Sequence, residues 1–295
     1  MNSMELTHNN WFKYGFNQVP FSKRQSATDQ WFVDYGSITR EPMSFGEECL
    51  ATAKLIRDTK NGPLWVFLSG GLDSEIALRA FVKANIPVRA AIIRFKHDFN
   101  IHDISYAVIA AETLGVPYRF IELDIVKFLE ETVFDMAKLT NSSLVSTNVV
   151  CWAFNKIDGI PVMGNGDCQL ELIRSGQYAL CDKEYFMSFY YYLLDQNLDG
   201  VPGFFRFTPE TMLSWLEDET VKQAVQRRPE RVLETLKNQM YLKYFDAYDR
   251  TKYTGYEKIR LITNGVNGIL RDMYGSDEFY IEYNTLCNSL RGNNG

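Results

Sequence analysis

The residues best suited to chemistry in this 295-residue chain stand together as Ser69-Gly70-Gly71-Leu72-Asp73-Ser74. Two hydroxyls, two glycines and a carboxylate in so short a stretch can surround an anion. Glycine lets the backbone approach a ligand closely, and the amide N–H groups of such a turn then act as donors. Before the turn, Leu64-Trp65-Val66-Phe67-Leu68 is a short, continuously apolar run, the pattern of a buried strand. After it, Ile76, Ala77, Ala80 and Phe81 recur at helical spacing through Ala84, so a helix opens as the turn closes. A strand, a tight turn and a helix N-terminus in that order favour phosphate, through unpaired N–H groups and the positive end of the helix dipole. The plain alternative is a glycine turn with a Ser or Asp helix cap.

A second stretch repeats the logic. In Ile160-Pro161-Val162-Met163-Gly164-Asn165-Gly166-Asp167-Cys168 an apolar strand again runs into glycines and an aspartate. Here too the plain alternative is a glycine turn whose Asp bonds its own backbone.

The elements that must position these two turns follow from periodicity. Val88 to Phe95 reads as a second strand, Ile104 to Leu114 as a helix stopped by Gly115-Val116-Pro117, and Tyr118 to Leu123 as a third strand. Strands alternating with helices at these lengths predict a parallel sheet with right-handed crossovers, whose ligands lie at the carboxyl ends of the strands. That puts Arg94, Phe95 and His97 near the same pocket. Ser44-Phe45-Gly46-Glu47 fits a capping box for a helix reaching Arg57. Ile125 to Leu139 and Thr147 to Phe154 read as helices covering the sheet.

From about Ser175 the pattern changes. Tyr185 to Leu194 is dense in aromatic residues and reads as a buried helix, with core packing favoured over an aromatic substrate box. Prolines at Thr208-Pro209-Glu210 and Arg228-Pro229-Glu230 start two more helices, the second turning Val232, Leu233, Leu236, Met240 and Tyr244 inward. No strand pattern returns, which predicts a helical C-terminal region. Residues 1–43 are aromatic and irregular, with one short strand or hairpin near Trp31-Phe32-Val33-Asp34-Tyr35, and are expected to cover an edge of the next unit. The expected division is 1–43, 44–175 and 176–295.

Composition narrows the function classes. A net charge of −6 argues against an extended nucleic-acid footprint but not against a local phosphate pocket. Five scattered cysteines without Cys-x-x-Cys predict reduced thiols rather than a zinc ribbon or redox pair. No apolar run of about 18 residues occurs, so a soluble cytoplasmic protein with no membrane partner is expected.

The two commonest phosphate-loop patterns, Gly-x-x-x-x-Gly-Lys-Ser/Thr and Gly-x-Gly-x-x-Gly, are absent. Ser69 to Ser74 instead resembles, at every position, the pyrophosphate loop of the PP-loop ATP pyrophosphatase superfamily. The order of elements resembles the synthetase domain of asparagine synthetase and β-lactam synthetase. The resemblance implies a Rossmann-like α/β domain of the adenine nucleotide alpha hydrolase-like type. It implies ATP and Mg2+ as cofactors. Ser69, Gly70, Gly71, Leu72, Asp73, Ser74 and Gly164 would hold the nucleotide, with Arg94 on the adenosine side. Asp73 and Asp167 would hold magnesium, Asp73 acting catalytically as well. The lysine that such synthetases bring to the phosphates would be Lys252 or Lys258, from the basic, tyrosine-rich stretch 249–260. One departure stands out: Asp167 follows Gly164 by three residues rather than four, so its match requires Met163 in place of the first glycine.

The implied reaction adenylates an acceptor carboxylate, releases pyrophosphate and passes the acyl group to an amine. The stretch before the loop is too short for the glutaminase domain usual in that branch, which leaves ammonia, a separate glutaminase or an amino-acid amine as nitrogen source. Adenylation of a nucleobase carbonyl and a non-catalytic nucleotide-binding module are the alternatives.

Overall fold

The computed structural model describes residues 11–26, 28–227, 233–248, 250–251, 253–275 and 277–292. Strands β1 (Lys13–Phe16), β2 (Val19–Pro20) and β3 (Trp31–Asp34) form an antiparallel sheet in the order β2-β1-β3. The N-terminal aromatic segment is therefore a small sheet rather than a single hairpin, with Phe12, Tyr14, Phe16 and Tyr35 buried.

Helix α1 (Phe45–Thr59) starts at the expected capping box. Ser44 Oγ accepts from Glu47 N at 3.4 Å, and Glu47 Oε2 accepts from Ser44 N at 3.1 Å. Then β4 (Leu64–Phe67), α2 (Leu72–Lys83), β5 (Arg89–Phe95), α3 (Ile101–Thr113) and β6 (Tyr118–Leu123) alternate. The helix expected over 125–139 divides at Thr132, whose φ of −124° interrupts it, into α4 (Ile125–Glu131) and α5 (Val133–Thr140). Helix α6 (Val145–Phe154) leads to β7 (Ile160–Met163). The four strands pair in parallel in the order β6-β5-β4-β7, with Phe67 opposite both Ala91 and Met163. This is the parallel-sheet, Rossmann-like α/β arrangement expected from the sequence. From β4 the chain steps to β5 and β6 on one side, and β7 returns on the other. Strand order thus reverses beside β4, where such sheets open a crevice at their carboxyl ends.

The C-terminal half comprises β8 (Leu170–Leu172), β9 (Tyr178–Lys183), α7 (Ser188–Asp195), α8 (Pro209–Leu216), α9 (Glu219–Arg227), α10 (Leu233–Tyr244), α11 (Arg260–Tyr274), β10 (Glu278–Glu282) and α12 (Tyr283–Leu290). Helices dominate it, but the expectation that no strand returns is corrected. β10, β9 and β8 form an antiparallel sheet in that order. β9 is buried from Tyr178 to Asp182, so it lacks the alternation that marks a half-exposed strand. Among the described residues no helix is long and apolar enough to cross a membrane, and no cysteine forms a disulfide.

Candidate active site

The glycine-rich turn leaves β4 and enters α2 at the strand-order reversal. Gly70 has φ +81°, and a Cβ there would fall 2.1 Å from the Asp103 carbonyl oxygen, so both conformation and close approach call for glycine. Gly71 is the N-cap of α2 and brings no side chain to its first amides. That end of the helix is therefore left available to an anion. Ser74 Oγ fastens the turn by accepting from Ser69 N at 3.1 Å and donating to Gly71 O at 3.0 Å.

The second turn is pressed against the first. A Cβ on Gly164 would fall 2.6 Å from Ser74 Cα, so only glycine lets β7 deliver its turn here. Gly166, at φ +96°, lies against Arg206, whose Nε donates to Gly166 O at 3.1 Å. Arg206 is buried and pairs with Asp182, which also accepts from Tyr35 Oη. The N-terminal sheet thereby helps hold the 164–167 turn.

Helix α10 completes the cluster. Lys237 Nζ lies 2.6 Å from Asp73 Oδ1 and 3.1 Å from Asp167 Oδ2. Tyr241, one turn further on, donates to Asp73 Oδ1 at 2.7 Å. Burial and the neighbouring Asp167 push the Asp73 carboxyl above its ordinary range, although Lys237 and Tyr241 pull it the other way. Burial pulls the Lys237 ammonium down, but the two carboxylates outweigh it and hold the lysine firmly protonated. Asp73, Ser69, Ser74, Gly164 and Asn165 line one end of a cavity of about 380 Å³. Ile93, Phe95, Asn100 and Tyr256 line another part. There Asn100 fixes the end of β5, accepting from Phe95 N and donating to Ile93 O, each at 2.9 Å.

The residues singled out in the sequence fare differently. Ser69, Asp73, Ser74 and Gly164 line the cavity, Gly70, Gly71 and Leu72 shape the turn beside it, and Asp167 meets Asp73 through Lys237. Arg94 faces away. From β5 the cavity is lined by Ala91, Ile92, Ile93 and Phe95, while Arg94 bonds Asp98 Oδ1 at 2.8 Å and lies over the Phe120 ring. Lys258 is also elsewhere, exposed, with Nζ 3.3 Å from the Asp98 carbonyl oxygen. Lys252 lies outside the described residues, as does the Arg228-Pro229-Glu230 helix start. Sequence reasoning missed Lys237. Its signal was a lysine and a tyrosine four apart, bordering the stripe of Leu236 and Met240, both of which are buried.

Two carboxylates converging on one cationic position suit magnesium, which takes one or two protein carboxylates together with phosphate oxygens and waters. Among the described residues no cluster of three or more His, Cys, Asp or Glu stands ready to cage a metal by itself. The donor set therefore fits an ion that arrives with its nucleotide.

No protein-family model and no curated protein matches the sequence. Among solved structures the chain is similar to NMN synthetase from Francisella tularensis, at 15% identity and TM-score 0.35 over 84% of this chain and 92% of that one. It is similar to NH3-dependent NAD synthetase from Campylobacter jejuni, at 15% identity and TM-score 0.31 over 71% and 97%. Glutamine-dependent NAD+ synthetase from Acinetobacter baumannii follows, at 12% identity and TM-score 0.30 over 79% of this chain and 53% of that one, about half its length. All three are synthetases and none is an asparagine synthetase. Likeness at this level carries no activity across, and the functional reading rests on the geometry of the site.

Proposed function

We propose that the chain is an ATP-dependent, AMP-forming ligase of the asparagine synthetase type that joins an acceptor carboxylate to an amine. The observation that carries this reading is the meeting of Asp73, Asp167 and Lys237 above a glycine-rich helix N-terminus at the strand-order reversal. Ser69, Gly70, Gly71, Leu72 and Ser74 supply the cradle for the pyrophosphate portion of ATP. The cavity wall of Ile93, Phe95 and Tyr256 takes the adenosine. Asp73 and Asp167 would hold magnesium, which would neutralise charge on the phosphate oxygens.

In the first step a carboxylate oxygen forms a bond to the α-phosphorus. The bond from that phosphorus to the bridging oxygen breaks, and its electron pair leaves with pyrophosphate. With the metal between the two acids, Lys237 would turn its positive charge to the phosphate oxygens, where negative charge gathers. In the second step an amine nitrogen bonds to the acyl carbon, AMP departs with the electron pair of the C–O bond, and the amine gives up a proton. The nitrogen comes from ammonia, an amino-acid amine or a separate glutaminase. With unpaired thiols, the chain suits a reducing, cytoplasmic setting.

The test is magnesium-dependent exchange of labelled pyrophosphate into ATP, scanned over carboxylic acids. Exchange that depends on an acid and disappears in Asp73→Asn and Lys237→Met is the expected result. ATP binding without exchange for any acid would refute the adenylating step.

A further inference from the structure

The cavity has a wall that the nucleotide loop does not explain. Tyr185 and Phe186 stand in the short 3-10 turn Glu184–Met187 that leads into α7, and they line the cavity with Phe189. From Met187 to Leu193 every side chain is buried, whereas Tyr185 and Phe186 are only half-buried, their ring centroids 4.7 Å apart. Core packing thus accounts for Phe189 onward and not for these two rings.

Their neighbours are fastened from behind. Trp31 Nε1 donates to Met187 Sδ at 2.6 Å. Arg24 Nη2 lies 2.7 Å from Glu184 Oε2, and Asp277 N donates to the same oxygen at 3.0 Å. With Glu184 and Met187 held on either side, the two rings stay in the cavity wall. The wall stands at the phosphate end. Asn165, beside Gly164, shares a second, smaller hollow with Phe186, Phe189 and Asp167.

We propose that Tyr185 and Phe186, backed by Phe189, form the seat of the acceptor, and that the acceptor is a carboxylic acid bearing an aromatic ring; this rests on the adenylating reading above. Aromatic rings attract one another edge to face or offset, at centroid separations of about 4.5–7 Å. A ring entering here covers apolar surface that otherwise faces water, with Phe67, Val150 and Met163 as further apolar lining. A ring seated against Phe186 places its carboxylate toward Asn165 and the Asp73–Lys237 pair, where the α-phosphorus must come. The carboxylate oxygen then forms the bond to phosphorus as the bond to pyrophosphate breaks, ATP being the co-reactant, and the ring is unchanged.

The test uses the full chain and two readouts. Exchange is measured with benzoate, phenylacetate and indole-3-acetate against acetate, aspartate and glutamate. Calorimetry measures phenylacetate binding in the presence of magnesium and a non-hydrolysable ATP analogue. The expected result is exchange driven by the aromatic acids, and phenylacetate binding weakened about tenfold or more in Phe186→Ala and in Tyr185→Ala. ATP-analogue affinity should stay unchanged in both. Exchange only with acetate, aspartate or glutamate overturns the seat and leaves adenylation standing. Phenylacetate binding without any exchange overturns adenylation and leaves the seat. Failure of phenylacetate to bind, or weakening of the ATP analogue by either variant, overturns the seat directly.

Discussion

The Lys237 ammonium straddles the Asp73 carboxylate, with Nζ 2.6 Å from Oδ1 and 2.7 Å from Oδ2. Because it also reaches Asp167, the lysine stands where a cation bridging the two acids would stand. Lysine and divalent ion are therefore alternative occupants of one position. Removing the lysine should strengthen binding of Mn2+ alone, several-fold in Lys237→Ala by electron paramagnetic resonance titration. The same variant should lose exchange by about 10²–10³. Unchanged Mn2+ affinity would show that the two do not compete.

Three glycines should respond to alanine in opposite senses. In Gly164→Ala the new Cβ meets Ser74 backbone, and in Gly70→Ala it meets the Asp103 carbonyl from a left-handed conformation. Each should destabilise the fold by about 1–3 kcal/mol and weaken ATP binding. Gly265, inside α11, has open space around it. Gly265→Ala should stabilise by about 0.5–1 kcal/mol, since alanine is the better helix former. Denaturant midpoints for the three variants check both signs.

Acid should loosen the helix that carries Lys237. Burial raises the Asp218 carboxyl, but Lys243, Tyr244 and the Thr220 amide outweigh it, so its pKa is lowered on folding. Lys243 Nζ lies 2.7 Å from Asp218 Oδ2 and ties α10 to the α8–α9 junction. A lowered folded pKa gives stability that is complete above the ordinary Asp value of about 3.9 and is lost as pH falls below it. The stability gap between the unmodified chain and Asp218→Asn should be constant near neutrality and shrink in acid. A gap that persists in acid would sink the assignment.

The buried Arg206–Asp182 pair should be costly to break on one side only. Arg206→Met strands Asp182 and is expected to cost about 3–5 kcal/mol, while Arg206→Met with Asp182→Leu costs less. A double variant no better than the single would show that the arginine acts through packing alone.

How much of this was legible in the sequence depends on the range of the interactions. The glycine turn, the capping box and the strand–helix alternation are local, and each fell where periodicity and turn chemistry put it. Arg94 was placed by its strand end alone, and the direction of its side chain depends on strand register. Lys237 bonds a carboxylate more than 160 positions away, so only the tertiary fold brings the two together. β9 was hidden because a strand covered on both faces shows no alternation.

The bracing of Glu184 and Met187 by Arg24 and Trp31 has a further consequence. The glycine turn is one short contiguous stretch, whereas the aromatic wall is braced from three remote parts of the chain. The turn and the wall, though neighbours, are thus separable inheritances. Exchanges at Arg24 or Trp31 can reshape what the aromatic wall accepts while the glycine turn beside it is left intact.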